Sequence, residues 1–124
     1  MDYTFSNSQP IWMQLTDILT ERIVTGVYPA GERIPTVREF AAAFGVNPNT
    51  MQRALTQLEA DGLVCTNRTV GRSVTQDDAA IQKTRRRLAQ AKIDAYLSGM
   101  AQLGFSKEEA AALLAEDASG ESQK

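Results

Sequence analysis

Histidine is absent from this 124-residue chain, and cysteine occurs once, at Cys65. The first absence removes the side chain most used as a general base and metal ligand near neutral pH. The second excludes an intrachain disulfide. No apolar run approaches the ~18 residues that would suggest a membrane span. The opening Met1-Asp2-Tyr3-Thr4-Phe5-Ser6 lacks the basic and apolar regions of a secretory signal, so a cytoplasmic location is expected. There is no glycine-rich phosphate loop. The carboxylate pairs Asp77-Asp78 and Glu108-Glu109 are neighbours that a helix N-terminus accounts for without catalysis. Neither an enzyme nor a cofactor or metal site is expected. An excess of positive charge is missing too. Residues 1–76 hold six arginines and no lysine against seven carboxylates, and the whole chain carries −2. A nucleic-acid-binding domain is often basic, so only the placement of the arginines can argue for that function.

What is present reads as a series of helices with one hairpin. Residues 1–9 are polar and irregular, or a short arm. Pro10 suits a first helical turn, and Ile11, Leu15, Ile18, Leu19 and Ile23 recur at helical spacing up to a stop near Gly26. Pro29 and Gly31 mark a turn. Thr36-Val37-Arg38-Glu39 fits a capping box. Val37, Phe40, Ala41 and Phe44 then form an apolar stripe that ends at Gly45. Asn47 caps the next helix with Pro48 at its first position, and Met51, Leu55 and Leu58 face a core until Asp61-Gly62. Leu63–Thr66 and Gly71–Thr75 read as short strands around Asn67-Arg68-Thr69-Val70. In Leu63-Val64-Cys65 the cysteine is expected to be a small buried hydrophobe. A longer helix opens at Asp77-Asp78 and runs to about Leu103, although Gly99 weakens it. Ser106-Lys107-Glu108-Glu109 is a second capping box. The last helix is expected to end near Asp117.

Two short helices joined by a tight turn, followed by a hairpin, form a winged helix-turn-helix layout. The expected fold is mainly α with a small β wing. Residues 1–76 would be a winged helix-turn-helix DNA-binding domain, residues 77–117 a two-helix dimerisation region, and residues 118–124 a flexible tail. In the second helix of the motif, Pro48-Asn49-Thr50 offer free backbone amides suited to a phosphate. Gln52 and Arg53 follow one turn on, and these residue types pair with adenine and guanine edges in the major groove. Arg38 projects opposite the apolar stripe of the preceding helix. Arg68 and Arg72 flank the hairpin tip, where arginine favours phosphates or a minor groove. Thr36, Asn47 and Gly71 complete the candidate DNA-binding set. Ile93, Tyr96, Leu97, Met100 and Leu103, with Leu113 and Leu114, form an apolar face that one helix pair cannot bury alone, so a partner is expected. Arg85-Arg86-Arg87 splay around their helix and read as a solvated face.

Four segments carry a family resemblance: Pro10–Leu15, Gly31–Ala41, Val46–Leu55 and Leu58–Leu63. Together they resemble the GntR family of bacterial transcription regulators over about residues 10–75. The Asn47-Pro48-Asn49-Thr50 turn, and a tail of only two helices, look like the YtrA subfamily. The resemblance implies a homodimer, joined largely through its C-terminal helices, on a palindromic operator in double-stranded DNA. It implies DNA contacts from Arg38, Asn49, Thr50, Gln52 and Gly71, with Arg53 beside the base-reading position. YtrA-like members often repress transporter operons. This chain departs from the pattern at Thr69, where a glycine is usual, and at Arg72-Ser73, where a Thr-Phe pair is usual. The rival expectation is a winged-helix protein-interaction module without specific DNA binding, which would have no need of that polar set.

Overall fold

The computed structural model describes residues 4–121, and the chain forms two compact units that divide between Arg85 and Arg86. The first contains α1 (Ile11–Val24), α2 (Val37–Phe44), α3 (Pro48–Ala60), β1 (Val64–Asn67), β2 (Gly71–Val74) and the first turns of α4 (Asp78–Gln102). The second contains the rest of α4 and α5 (Lys107–Glu121).

Local sequence signals set the helix ends of the first unit. Pro10 stands at the N-cap of α1. The Thr36 hydroxyl accepts from the Glu39 amide at 3.2 Å, and the Glu39 carboxylate accepts from the Thr36 amide at 2.8 Å. That reciprocal box starts α2. Gly45 ends it with φ of 68°, a left-handed conformation that costs glycine little. Two residues on, Asn47 Oδ1 accepts from the Asn49 amide at 2.7 Å and opens α3. The turn between α2 and α3 is therefore fixed at both ends by backbone chemistry, which sets the direction in which α3 leaves.

Burial follows the helical spacing. Leu15, Leu19 and Ile23 of α1 meet Phe40, Ala41 and Phe44 of α2 and Met51, Ala54, Leu55 and Leu58 of α3 in one core. Ile11 lies outside it and is exposed, because it precedes the first residue of α1 that faces α3. Val74 and Ile81 close the core from below. Ile81 ties the start of α4 to this unit, whose last residue is Arg85.

The hairpin pairs Val64 with Val74, Cys65 with Ser73, Thr66 with Arg72 and Asn67 with Gly71. Residues 31–34, which follow the turn expected at Pro29 and Gly31, run alongside β2 and bridge to it between Arg33 and Ser73. The Ile34 amide donates to the Arg72 carbonyl at 3.0 Å, and the Val74 amide donates to the Glu32 carbonyl at 2.9 Å. Cys65 is exposed, contrary to the expectation of burial. Strand side chains alternate in direction. With Val64 facing the core, Cys65 must face outward.

In the second unit Gly99 does not interrupt α4. The Tyr96 hydroxyl donates to the Ala110 carbonyl at 2.8 Å and clamps α4 to α5 as a helical hairpin. Ser106 and Glu109 form the second capping box, with reciprocal bonds of 3.1 and 2.8 Å. The helix α5 continues to Glu121 rather than ending near Asp117, since Ala118-Ser119-Gly120 contains no residue that forces a stop. The remainder of the expected tail, residues 122–124, lies outside the described residues. No helix is long and apolar enough to cross a membrane among the described residues.

Candidate nucleic-acid interface

The core face of α3 leaves one stripe exposed. Asn49, Gln52, Arg53 and Thr56 all lie on it, at helical spacing and open to solvent. Thr50 is half-buried at the margin. The Gln52 carboxamide donates to the Thr56 hydroxyl at 3.3 Å, which orients it along the helix axis. Thr56 is a member of the stripe that the sequence reading missed, though its spacing four residues after Gln52 carried the signal. Asn47 and Thr36 turn their side-chain oxygens toward their own helix starts. Their contribution at the surface is to hold α3 and α2 in place.

Arg38 is exposed on the first turn of α2 and lines two concavities. One, of about 390 Å³, runs between the start of α2 and the hairpin, and also takes in Arg33, Thr36, Thr66, Gly71 and Arg72. The other, of about 530 Å³, lies between α2 and the start of α3 beside Gly45 and Pro48. Arg33 was also missed. Its isolated bridge to Ser73 places it beside the hairpin, and nothing local in the sequence announces that pairing.

The hairpin tip is built without the usual glycine. Asn67 Oδ1 accepts from the amides of Thr69 and Val70 at 2.8 and 3.1 Å, so an Asx turn takes over the role. Arg68 is exposed on this tip. Gly71 begins β2 with φ of 95°, a conformation that disfavours any side chain there. Arg72 is placed differently from Arg68. Its Nε donates to Glu59 Oε1 at 3.3 Å, with only 18% of the arginine side chain exposed. The other carboxylate oxygen of Glu59 accepts from the Thr66 hydroxyl. Glu59 thus pins the wing to the end of α3, and Arg72 is engaged in that pin rather than free at the tip.

Electrostatics reinforce the start of α2. The Thr36 amide, then the Thr36 hydroxyl and the positive charge of Arg33, hold the Glu39 carboxyl below its ordinary pKa. A lowered folded pKa means that stability from the charged form is present above the unfolded value. It is lost as pH falls through the folded value. Glu39→Gln keeps an acceptor for the Thr36 amide but does not titrate. Its melting temperature is expected to fall less than that of the wild type between about pH 6 and about pH 3. Parallel acid limbs in thermal melts of the two proteins would remove this role of Glu39.

Residues 13–74, half of the chain, match the profile of the bacterial regulatory proteins of the gntR family. The chain belongs to the GntR family. Among its relatives is the HTH-type transcriptional regulator YhcF of Bacillus subtilis strain 168. YhcF is 33% identical over 109 residues, which are 88% of this chain and 90% of that protein. The HTH-type transcriptional repressor YtrA of the same organism is 29% identical over 100 residues, covering 76% of this chain and 77% of YtrA. These relatives are named as regulators rather than enzymes, and they agree with the YtrA-like expectation. A solved GntR family transcriptional regulator from Listeria monocytogenes is 35% identical with a TM-score of 0.82, covering 90% of this chain and 98% of that one. A structure of the DNA-binding domain of AraR in complex with its operator ORR3 is 25% identical with a TM-score of 0.53, covering 59% of this chain and 88% of that one. As a GntR regulator the chain has its family-matched residues in the first unit, where the α3 stripe, Arg38 and the wing tip all lie.

Proposed function

We propose that this GntR protein is a sequence-specific DNA-binding transcriptional repressor that acts in the cytoplasm and binds a palindromic operator as a homodimer. The observation that carries the reading is the α3 stripe: four polar side chains exposed on a helix whose other face is locked into the core. A helix so presented fits a B-DNA major groove, and Asn and Gln are residue types that read base edges there. Arg38 and the exposed Arg68 supply cationic contacts on either side, which compensates for the near-neutral total charge. The AraR domain, which shares the fold, is captured on an operator, and the relative YtrA is named a repressor. For a YtrA-like member the resemblance suggests a transporter operon as target.

Support for a dimer comes from the second unit. Among the described residues of α5 and the later turns of α4, Ala110 is the one fully buried hydrophobe. Leu103, Leu114, Ile93 and Phe105 are 73%, 54%, 48% and 37% exposed, and Tyr96, Leu97, Met100 and Leu113 are half-buried. Contiguous apolar surface of this kind marks an interface, and a helix pair with so little core gains most from a second copy.

The test is a titration of the purified chain onto duplex DNA from upstream of its own gene and onto an unrelated duplex, across a salt series. Selective binding that falls steeply with salt is expected, because phosphate neutralisation releases counterions. Equal weak binding to both duplexes, together with a failure to select any sequence from a random pool, would favour the protein-interaction reading.

A further inference from the structure

Trp12 and Arg53 are distant in the chain and meet at the surface. Trp12 lies in the first turn of α1 and is half-buried. The Arg53 guanidinium sits over its indole ring, 4.3 Å from the centroid. Among the described residues Arg53 makes no hydrogen bond or ion pair, so its N–H donors are not spent within the chain. A guanidinium is weakly hydrated and lies flat on aromatic faces, and such a stack narrows the rotamers of a long side chain. On α3, Arg53 follows Gln52 but projects about 100° further round the axis. The two neighbours are thus restrained in different ways. Gln52 is held along the stripe by Thr56, while Arg53 is drawn off it toward α1.

We infer that Arg53 is a phosphate clamp and that Trp12 is the positioning residue that holds it, so that this pair sets affinity for duplex DNA while Gln52 sets sequence. The inference rests on the proposed DNA-binding function. A guanidinium resting on α1 is biased away from base edges on the groove floor. Its donors stay at the margin of the helix, where the phosphates border the groove. An arginine already held on an aromatic face also loses less freedom on binding than one extended into water.

The test uses the full chain, a duplex selected by it from a random pool, and a scrambled duplex of the same length, each titrated across a salt series. Arg53→Ala is expected to weaken both duplexes by a similar factor and to reduce the slope of log affinity against log salt by about one. Trp12→Leu is expected to weaken both about fivefold, the size of an exposed cation–π contact. Trp12→Phe keeps an aromatic face and is expected to stay within about twofold of wild type. In an Arg53→Ala background, Trp12→Leu should add nothing. The clamp is overturned if Arg53→Ala weakens the selected duplex alone, or if Trp12→Leu leaves affinity unchanged or adds its full loss to that of Arg53→Ala. A thermal melt shows whether Trp12→Leu folds. If it does not, the Arg53→Ala slope and the Trp12→Phe affinity decide the matter. A wild-type chain that binds neither duplex overturns the proposed function and the clamp with it. The preceding outcomes, seen against a wild type that binds, overturn the clamp alone.

Discussion

Arg38→Ala is expected to weaken binding to the selected operator by about thirtyfold, the size of one lost bidentate base contact of about 2 kcal/mol. Its thermal stability should stay within about 0.5 kcal/mol of wild type. The two halves of this expectation come from the same observation. Arg38 is exposed, and among the described residues it makes no hydrogen bond or ion pair, so its removal costs the fold little. It also lines both concavities described above, one between α2 and the hairpin and one between α2 and the start of α3, where a duplex seated on the stripe would meet it. Operator titrations and melts on the same preparations check both halves. Unchanged affinity would remove Arg38 from the interface. A large loss of melting temperature would reassign it to the scaffold.

The second large effect concerns the second unit. Leu103→Asp combined with Leu114→Asp places two charges on side chains that are 73% and 54% exposed in the isolated chain. Such changes leave a lone helical hairpin intact but make a shared apolar face untenable, because an unpaired buried charge is costly. The wild type is expected to sediment as a dimer and the double variant as a monomer. Operator affinity should fall by about a hundredfold or more, since the second half-site is no longer engaged at high effective concentration. A monomeric wild type would contradict the assignment of these residues. So would a double variant that remains dimeric with full affinity.

Much of the first unit is legible in the sequence because its signals are local. Thr36 and Glu39 are three residues apart, Asn47 and Pro48 are adjacent, and Gly45 follows the last apolar residue of its helix. Capping and left-handed turns need nothing from the rest of the chain, and all of these occur as expected. The periodicity of Met51, Leu55 and Leu58 likewise left Asn49, Gln52 and Arg53 on the opposite face. What the sequence concealed depends on partners far along the chain. Arg72 looks like a wing-tip cation until Glu59, thirteen residues earlier, is seen to hold it. Arg53 looks like an unrestrained side chain of the stripe until Trp12 is found beneath it. Residues 31–34 pair with β2 although no strand pattern marks them, since their bonds are made by backbone alone. Cys65 was concealed for a different reason. Its apolar neighbours suggested burial, but a strand cannot turn consecutive side chains inward, and Val64 takes the inward place.

The central claim is that the exposed stripe of α3 reads DNA sequence, and it is tested most directly by selecting duplexes from a random pool with the wild type and with Gln52→Ala. The wild type is expected to yield a palindrome with half-sites about one helical turn apart. Gln52→Ala is expected to keep that spacing while relaxing the preference at one matching position in each half-site. An identical consensus from both proteins, or no consensus from the wild type, would contradict the account.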